Sequence, residues 1–489
     1  MMIKFLPVPK SCQIYGEDRL SCKSAVYTAC SAFAPYQATL ADYFARISCP
    51  LATDATGGIT LCYDAALAPD AYVIDTKETP VVYASAPEGL CYALASLLQM
   101  VKKGEGEITL PRVRIEDRPD KPYRSLMCDL ARCWHPFWQL LQFVDVCFLY
   151  KINYLHLHFA DDQRYTLPSK AFPLLNDPKE SYTEREIAYL NEYAAARGVK
   201  LVPEIECPGH AAILNAHYPE VFGIRQDREG EALFTELGIK VDHRSLINAG
   251  SAVAFEGVKT LFAEVCEMFP RSEYIHIGGD EAAIKLWYTC ADTRAYMEEQ
   301  GISDVYELYS EYVARVTDYV LSLGKTPMVW EGFPKLGAER IDRRTVVIAW
   351  ESHYHLAPDL LEEGFKIINA TWQPLYLVPS LTRRWDFRDI LSWNVHNWQH
   401  WWEHSVATKT PINVPPTENV LGSILCSWGM TYEQEMSRVL ENLMAMSERI
   451  WNVERTLSDA EYKKTFGGVY DVVSRLLVAD AAKRSEGGK

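Results

Sequence analysis

Four consecutive residues, Gly278-Gly279-Asp280-Glu281, set two carboxylates side by side behind a glycine turn, where the apolar run Ile275-His276-Ile277 ends. Neighbouring residues on a strand point to opposite faces. Asp280 and Glu281 therefore share one site only if the strand stops there and the backbone bends. Two carboxylates in one place can do acid–base work on a sugar or an ester. The plainer alternative is a solvated turn or a helix cap, where Asp and Glu are also common.

The elements around the pair favour the chemical alternative. Short apolar runs recur at 125–129, 154–159, 200–206, 274–280, 327–331, 346–351, 366–372 and 422–428, and helical patterns such as 136–150, 184–197, 252–268 and 305–323 lie between them. Eight strands alternating with helices predict an α/β fold, a (β/α)8 TIM barrel. An open doubly wound sheet is the alternative, but no Gly-x-Gly-x-x-Gly follows the first strand. In a barrel, functional groups collect at the C-terminal ends of strands. Those ends carry Asp129 and Arg132, with Arg124 at the start of the first strand. They continue with Asp161 and Asp162, then Glu204, Glu206 and His210, then Asp280 and Glu281. Trp330-Glu331, Trp350-Glu351, Trp372 and Tyr376, and Trp428 complete the ring. Carboxylates among tryptophans suit a pyranose, whose C–H face stacks on indole and whose hydroxyls meet acceptors.

The long segment before the eighth strand adds Trp385, Trp393, Trp398, Trp401 and Trp402 within eighteen residues. It is read either as a sugar subsite, with Trp393 a candidate contact, or as the contact of a homodimer. His156-Leu157-His158 faces the barrel interior and could bind zinc, but two-carboxylate sugar cleavage needs no metal, and no metal or other cofactor is assigned. The Gly-Gly-Asp-Glu-Phe signature of cyclic-dinucleotide synthases is weakened by Ala282 at the final position.

Composition bounds the partners. The chain has 489 residues and a net charge of −16, which argues against nucleic acid or an anionic membrane as a partner. Thirteen cysteines without a Cys-x-x-Cys, and an N-terminus lacking the apolar core of a signal peptide, predict a cytoplasmic protein with reduced thiols. Three domains are expected: a small α+β domain over 1–118, the catalytic barrel over 119–455 and a helical tail over 456–489. Residues 109–123, with three prolines and dense charge, read as a connector. The terminal Ser-Glu-Gly-Gly-Lys reads as frayed.

Several motifs in order resemble glycoside hydrolase family 20, the β-N-acetylhexosaminidases. These are Arg124-Ser-Leu-Met-Cys-Asp129-Leu-Ala-Arg132, Tyr154-Leu-His-Leu-His-Phe-Ala-Asp161-Asp162-Gln163, Pro203-Glu-Ile-Glu206-Cys-Pro-Gly-His210, His276-Ile-Gly-Gly-Asp280-Glu281-Ala282 and Ser447-Glu448-Arg449-Ile450-Trp451. The resemblance implies exo-acting, retaining hydrolysis of terminal β-linked N-acetylhexosamine from an oligosaccharide or glycoconjugate, with the substrate's own 2-acetamido group as nucleophile. Glu281 would be the proton donor, with its pKa raised by the charge of Asp280, and Asp280 would orient the acetamido group. Tyr376 would bond the acetamido oxygen. Trp330, Trp350 and Trp428 would wall the pocket, Arg124 would hold sugar hydroxyls, and His210 with Asp161 or Asp162 would support the acid.

This chain departs from the family pattern in places. Leu377-Val378 follows Tyr376 where Leu-Asp is usual, and Met430 stands where a Glu usually follows Trp428. Arg164-Tyr165 replaces Gly-Trp, and Glu206 replaces Asp. The missing acids usually bind outer hydroxyls of the terminal sugar. The reading is therefore an altered −1 subsite for a modified hexosamine or a larger aglycone, with Gln163, Arg164 and the Trp-rich segment as replacement contacts. A non-catalytic sugar-binding protein on the same barrel and a metal-dependent barrel hydrolase are the competing functions.

Overall fold

The computed structural model describes residues 4–50, 52, 57–104, 107–240, 242–380 and 382–478; the expected frayed end lies outside them. Eight parallel strands close a barrel: β1 Tyr123–Asp129, β2 Tyr154–His158, β3 Lys200–Glu204, β4 Tyr274–His276, β5 Thr326–Trp330, β6 Val346–Ala349, β7 Lys366–Asn369 and β8 Val420–Ser427. Each pairs with the next, and β8 closes on β1 with Ser423 opposite Arg124 and Ser427 opposite Cys128. The main outer helices are α1 Phe137–Leu149, α2 Glu184–Ala195, α3 Ala252–Met268, α4 Val305–Ser322, α5 Ala357–Glu362, α6 Phe387–Ser392 and α7 Tyr432–Trp451. Local chemistry starts them where the sequence allows. Thr183 and Thr431 close capping boxes with Glu186 and Gln434, and Asp304 and Ser251 accept backbone N–H groups at the heads of α4 and α3.

Two apolar layers result. The outer core lies between strands and helices. The barrel interior is a separate cluster running from Tyr123 and Tyr154 at the bottom, through Met127, Val202, Met328, Ile348 and Ile424, to Trp330, Trp350 and Tyr376 at the top. The strands are hydrophobic on both faces because both faces are covered.

The N-terminal domain is a mixed sheet in the order Ser11–Cys22, Ile108–Asp117, Tyr72–Asp75, Val81–Ala84, Ile59–Tyr63, Val26–Thr28, with helices Ala34–Arg46 and Pro87–Met100. Here the expected connector is corrected, since most of it is the strand Ile108–Asp117. Its charges Arg112, Arg114 and Glu116 alternate with buried Val113, Ile115 and Asp117, which is a strand's period of two. Pro111, which has no N–H to give, lies opposite Arg19, where the partner strand shifts register. The final helix, α8 Asp459–Val478, buries Tyr462, Val469 and Val473.

Candidate active site

The acid pair sits where β4 ends and the backbone turns back. Gly278 and Gly279 have φ of 74° and 88°, and Glu281 itself has φ of 44°. A Cβ on Gly278 would run into the Glu206 carboxylate, and one on Gly279 would lie 2.5 Å from Val329 Cγ2. Only glycine fits both the conformation and the space. The turn is pinned by Tyr309 of α4, whose hydroxyl donates to the Gly279 carbonyl at 2.6 Å. This bend gives the two acids different surroundings. The Asp280 residue is 7% exposed, whereas the Glu281 side chain is 53% exposed.

That difference shifts the two carboxyls in opposite directions in the free protein, opposite to the order expected from the sequence. Burial pushes the Asp280 carboxyl up to about 7, with the neighbouring Glu281 and Glu204 adding to the rise. Glu281 is held below the usual range, first by the imidazole of His210, whose Nε2 lies 3.4 Å from its carboxylate. Burial alone would hold His210 neutral. Its contacts with Asp161, Asp162 and Glu281 outweigh that and raise it well above the usual histidine value. Asp161 Oδ1 lies 3.4 Å from His210 Nδ1, and Asp161 Oδ2 lies 3.0 Å from His158 Nε2 and 2.7 Å from Arg132. Asp162 is a weaker support at 3.8 Å from His210; its Oδ1 accepts the Ala212 backbone N–H.

Beneath the acids, Glu204 forms a hub. His156 Nε2, His158 Nδ1, His276 Nδ1 and Trp330 Nε1 lie 2.9, 2.7, 2.8 and 2.5 Å from its carboxylate oxygens. The sets His156–Glu204–His276 and His158–Glu204–Glu206 are compact enough for an ion. His156, His158 and Trp330 hydrogen-bond to Glu204, and His276 Nδ1 accepts the Gly278 N–H at 3.0 Å, so the ring nitrogens an ion would use are already engaged. Two further sets, Asp161–Asp162–His210 and His210–Asp280–Glu281, are the acid site itself.

Above the hub stands a continuous aromatic wall. Trp330 lies 5.9 Å from Trp428, Trp428 lies 6.3 Å from Tyr376, and Tyr376 stacks on Trp350 at 5.8 Å and on Trp372 at 4.4 Å. The fold thus brings Trp330, Trp350, Tyr376 and Trp428 together. Glu331 is not free to meet a ligand, because it accepts backbone N–H groups from all of residues 350–354.

Other sequence candidates are misplaced. Arg124 is fully buried at the N-terminal end of β1. Its guanidinium donates to the carbonyls of Lys151 and Lys121 and to the Tyr92 hydroxyl, and it lies between Tyr92 and the Trp451 ring. The arginine at the rim is Arg132, which pairs with Asp161 and lies 4.8 Å over the Trp428 ring. The signal for it was its position just beyond the C-terminal end of the first strand. Trp393 is a core residue: its indole donates to the Asn397 carbonyl, and it packs in the outer core rather than on the aromatic wall. Trp398 is likewise core, bonded to the Ala349 carbonyl. Arg164 is tied to Glu180 and to the Ala131 and Arg132 carbonyls and so cannot serve as a replacement contact. Glu351 was given no role; it is buried beside the acids, with Oε2 unpartnered, and burial pushes it up to about 8.

A parallel barrel with an acid pair, a histidine and an aromatic wall at one rim is the architecture of a sugar-cleaving hydrolase. "Glycosyl hydrolase family 20, catalytic domain" matches residues 122–454, and the family's "domain 2" matches residues 3–118. The chain belongs to glycoside hydrolase family 20 and is a glycoside hydrolase. It is 27% identical over 408 residues to a β-hexosaminidase subunit beta of Entamoeba histolytica, covering 79% of this chain and 69% of that one. It is 33% identical over 258 residues to a β-hexosaminidase of Akkermansia muciniphila, covering 50% of this chain and 51% of the relative. The fold matches an exo β-N-acetylglucosaminidase of Vibrio harveyi, solved with N-acetylglucosamine, with a TM-score of 0.79 at 21% identity; 96% of this chain and 77% of that chain are covered. It matches a β-N-acetylhexosaminidase of Bacteroides fragilis with a TM-score of 0.76 at 23% identity, over 99% and 96% of the two chains.

Proposed function

We propose that the protein is an exo-acting, retaining β-N-acetylhexosaminidase that cleaves terminal N-acetylhexosamine from oligosaccharides or glycoconjugates, with the substrate's acetamido group as nucleophile. The observation that carries this reading is the left-handed Gly278-Gly279 turn. It sets a buried Asp280, with Oδ1 unpartnered, next to an open Glu281 linked to His210, under an aromatic wall.

The chemistry follows from that inequality. The acetamido N–H donates to Asp280, which favours the Asp280 carboxylate. The sugar covers Glu281 and excludes water, which raises its affinity for a proton. The proton held among Asp280, His210 and Glu281 therefore ends on Glu281. Tyr376 donates to the acetamido carbonyl oxygen. That oxygen attacks the anomeric carbon while the bond to the leaving oxygen breaks and Glu281 protonates it. The cyclic cation so formed is stabilised by ionised Asp280. Glu281, now a carboxylate, takes a proton from water as the oxygen of that water attacks the same carbon. The acetamido group is released, and configuration is retained after two inversions. The free thiols of all thirteen cysteines support a reducing compartment such as the cytoplasm.

A chromogenic β-N-acetylglucosaminide tests the reading. Glu281→Gln is expected to lower kcat by about 10²–10⁴-fold, as loss of a general acid does, while a chelator leaves the wild type unchanged. Undiminished turnover in that variant, or loss of turnover with chelator, overturns it.

A further inference from the structure

The pocket wall beyond Tyr376 is crowded with hydrogen-bond donors that nothing accepts. Trp372 stacks on Tyr376, and His400 and Trp401 lie 5.4 and 5.6 Å from Trp372. The Arg383 guanidinium covers the Trp401 ring at 2.9 Å. The indole nitrogens of Trp372, Trp401 and Trp428 are buried without an acceptor among the described residues. His400 joins them. Its Nδ1 accepts the backbone N–H groups of Trp401 and Trp402 at 3.0 and 2.8 Å, so its proton is on Nε2, which also has no partner. Burial, then Arg383, lowers His400 to about 4, so the ring is neutral.

Across the same rim, Arg438 on the second turn of α7 donates to the Val378 carbonyl at 2.5 Å and lies 3.5 Å from Met430 Sδ, while its Nη2 is buried and unpaired. Val378 packs against the aromatic wall. Arg384 is near enough to Arg438 to lower its pKa after burial. Among the described residues no carboxylate pairs with Arg383, Arg384 or Arg438, although the chain carries a net charge of −16.

Buried N–H groups without acceptors are costly and rare, so a cluster of them beside a pocket points to an absent acceptor. A sugar hydroxyl both donates and accepts, and it gains little from a rim that only donates. A group with several acceptor oxygens, no donor and a full charge fits it, and arginine is the side chain suited to such groups. On a pyranose, the C4 and C6 substituents lie across the ring from the anomeric carbon. A sugar with that carbon at Glu281 can therefore turn this edge away from the acids.

We propose that the rim formed by Trp372, His400, Trp401, Arg383, Arg438 and Arg384 binds an anionic ester, a sulfate or phosphate, on the outer edge of the terminal hexosamine. The proposal rests on the hexosaminidase reading and names the substrate class of that same site. Val378 and Met430 leave this edge free of the carboxylates that would repel such a group.

The test uses the full-length protein and three 4-methylumbelliferyl glycosides: plain β-N-acetylglucosaminide, its 6-O-sulfate and its 6-O-phosphate. At least one ester is expected to exceed the plain sugar by tenfold or more in kcat/KM, and the better ester identifies the source of the anion. Arg438→Met, and separately His400→Ala, are expected to lower the ester-to-plain ratio at least tenfold. The ratio cancels any loss of folded protein. Cleavage of the plain sugar in preference to both esters, or variants that lower all rates equally, overturns the proposal and leaves the hexosaminidase reading intact. No cleavage of any of the three overturns both.

Discussion

Asp280 and Glu281 are adjacent in sequence and opposite in environment, and the consequence is measurable. A buried acid whose pKa is raised to about 7 binds its proton more tightly when folded than when unfolded. The folded state therefore holds the extra proton between roughly pH 4 and pH 7, and stability falls as pH rises through that window. Asp280→Asn removes the penalty. The variant is expected to melt higher than wild type at pH 8, by an amount on the order of 1–3 kcal/mol, with the advantage gone at pH 4. Its kcat/KM is expected to fall by about 10²–10³-fold, as when a group aimed at developing charge is lost. Thermal melts at the two pH values, beside a glycosidase assay, check both halves. Arg124 at the start of the first strand and Arg132 just beyond its end make a second residue-scale contrast. Arg132→Ala is expected to lower kcat/KM by about 10-fold or more, because the support of Asp161 and the cover of Trp428 are lost. Arg124→Ala is expected to change kcat/KM by less than about 3-fold while lowering stability by about 3–5 kcal/mol, because the buried acceptors it serves are left unpaired. If the Arg124 variant melts normally but fails to turn over, the placement of the sugar-side arginine is wrong.

At the scale of elements, strand ends were the most legible feature. Eight runs of apolar residues followed by polar or aromatic ones predicted eight strands, and all eight occur. The runs overshot most at β4 and β7, which stop at His276 and Asn369, and by two residues at β3 and β6, which stop at Glu204 and Ala349. Beyond β4 the residues continue the apolar pattern but run into the left-handed Gly278-Gly279 turn that the acids need. The strand Ile108–Asp117 escaped because proline and charge were weighed above alternation. The Trp-rich segment divided in a way that composition does not encode. Trp393 and Trp398 turn inward to bond backbone carbonyls, whereas Trp401 reaches the pocket rim through its contact with Trp372. Both kinds of position suit an indole, and the choice depends on which carbonyl lies within reach of each N–H.

For the molecule as a whole, the N-terminal domain is fastened to the barrel bottom by buried polar contacts. Asp117, the last residue of the domain's sheet, accepts from Tyr72, from Trp451 of α7 and from Lys151 before β2. The Lys151 ammonium lies 4.4 Å over the Trp451 ring. Asp117→Ala leaves a buried lysine without its counter-charge and is expected to cost about 3–5 kcal/mol, read as a lower denaturant midpoint with unchanged KM in the folded fraction. By itself the sequence determined the architecture and singled out the carboxylate pair as a candidate, because strand period, strand count and a glycine-led Asp-Glu are local patterns. Tertiary structure alone decided which of two nearby arginines meets the pocket, which tryptophans line it, and which of the two acids burial raises. Each of these depends on burial and on partners brought together from separate elements, most of them tens of residues apart. Arg438, for example, meets Val378 only because α7 folds back beside the segment after Tyr376, which pairs with β8.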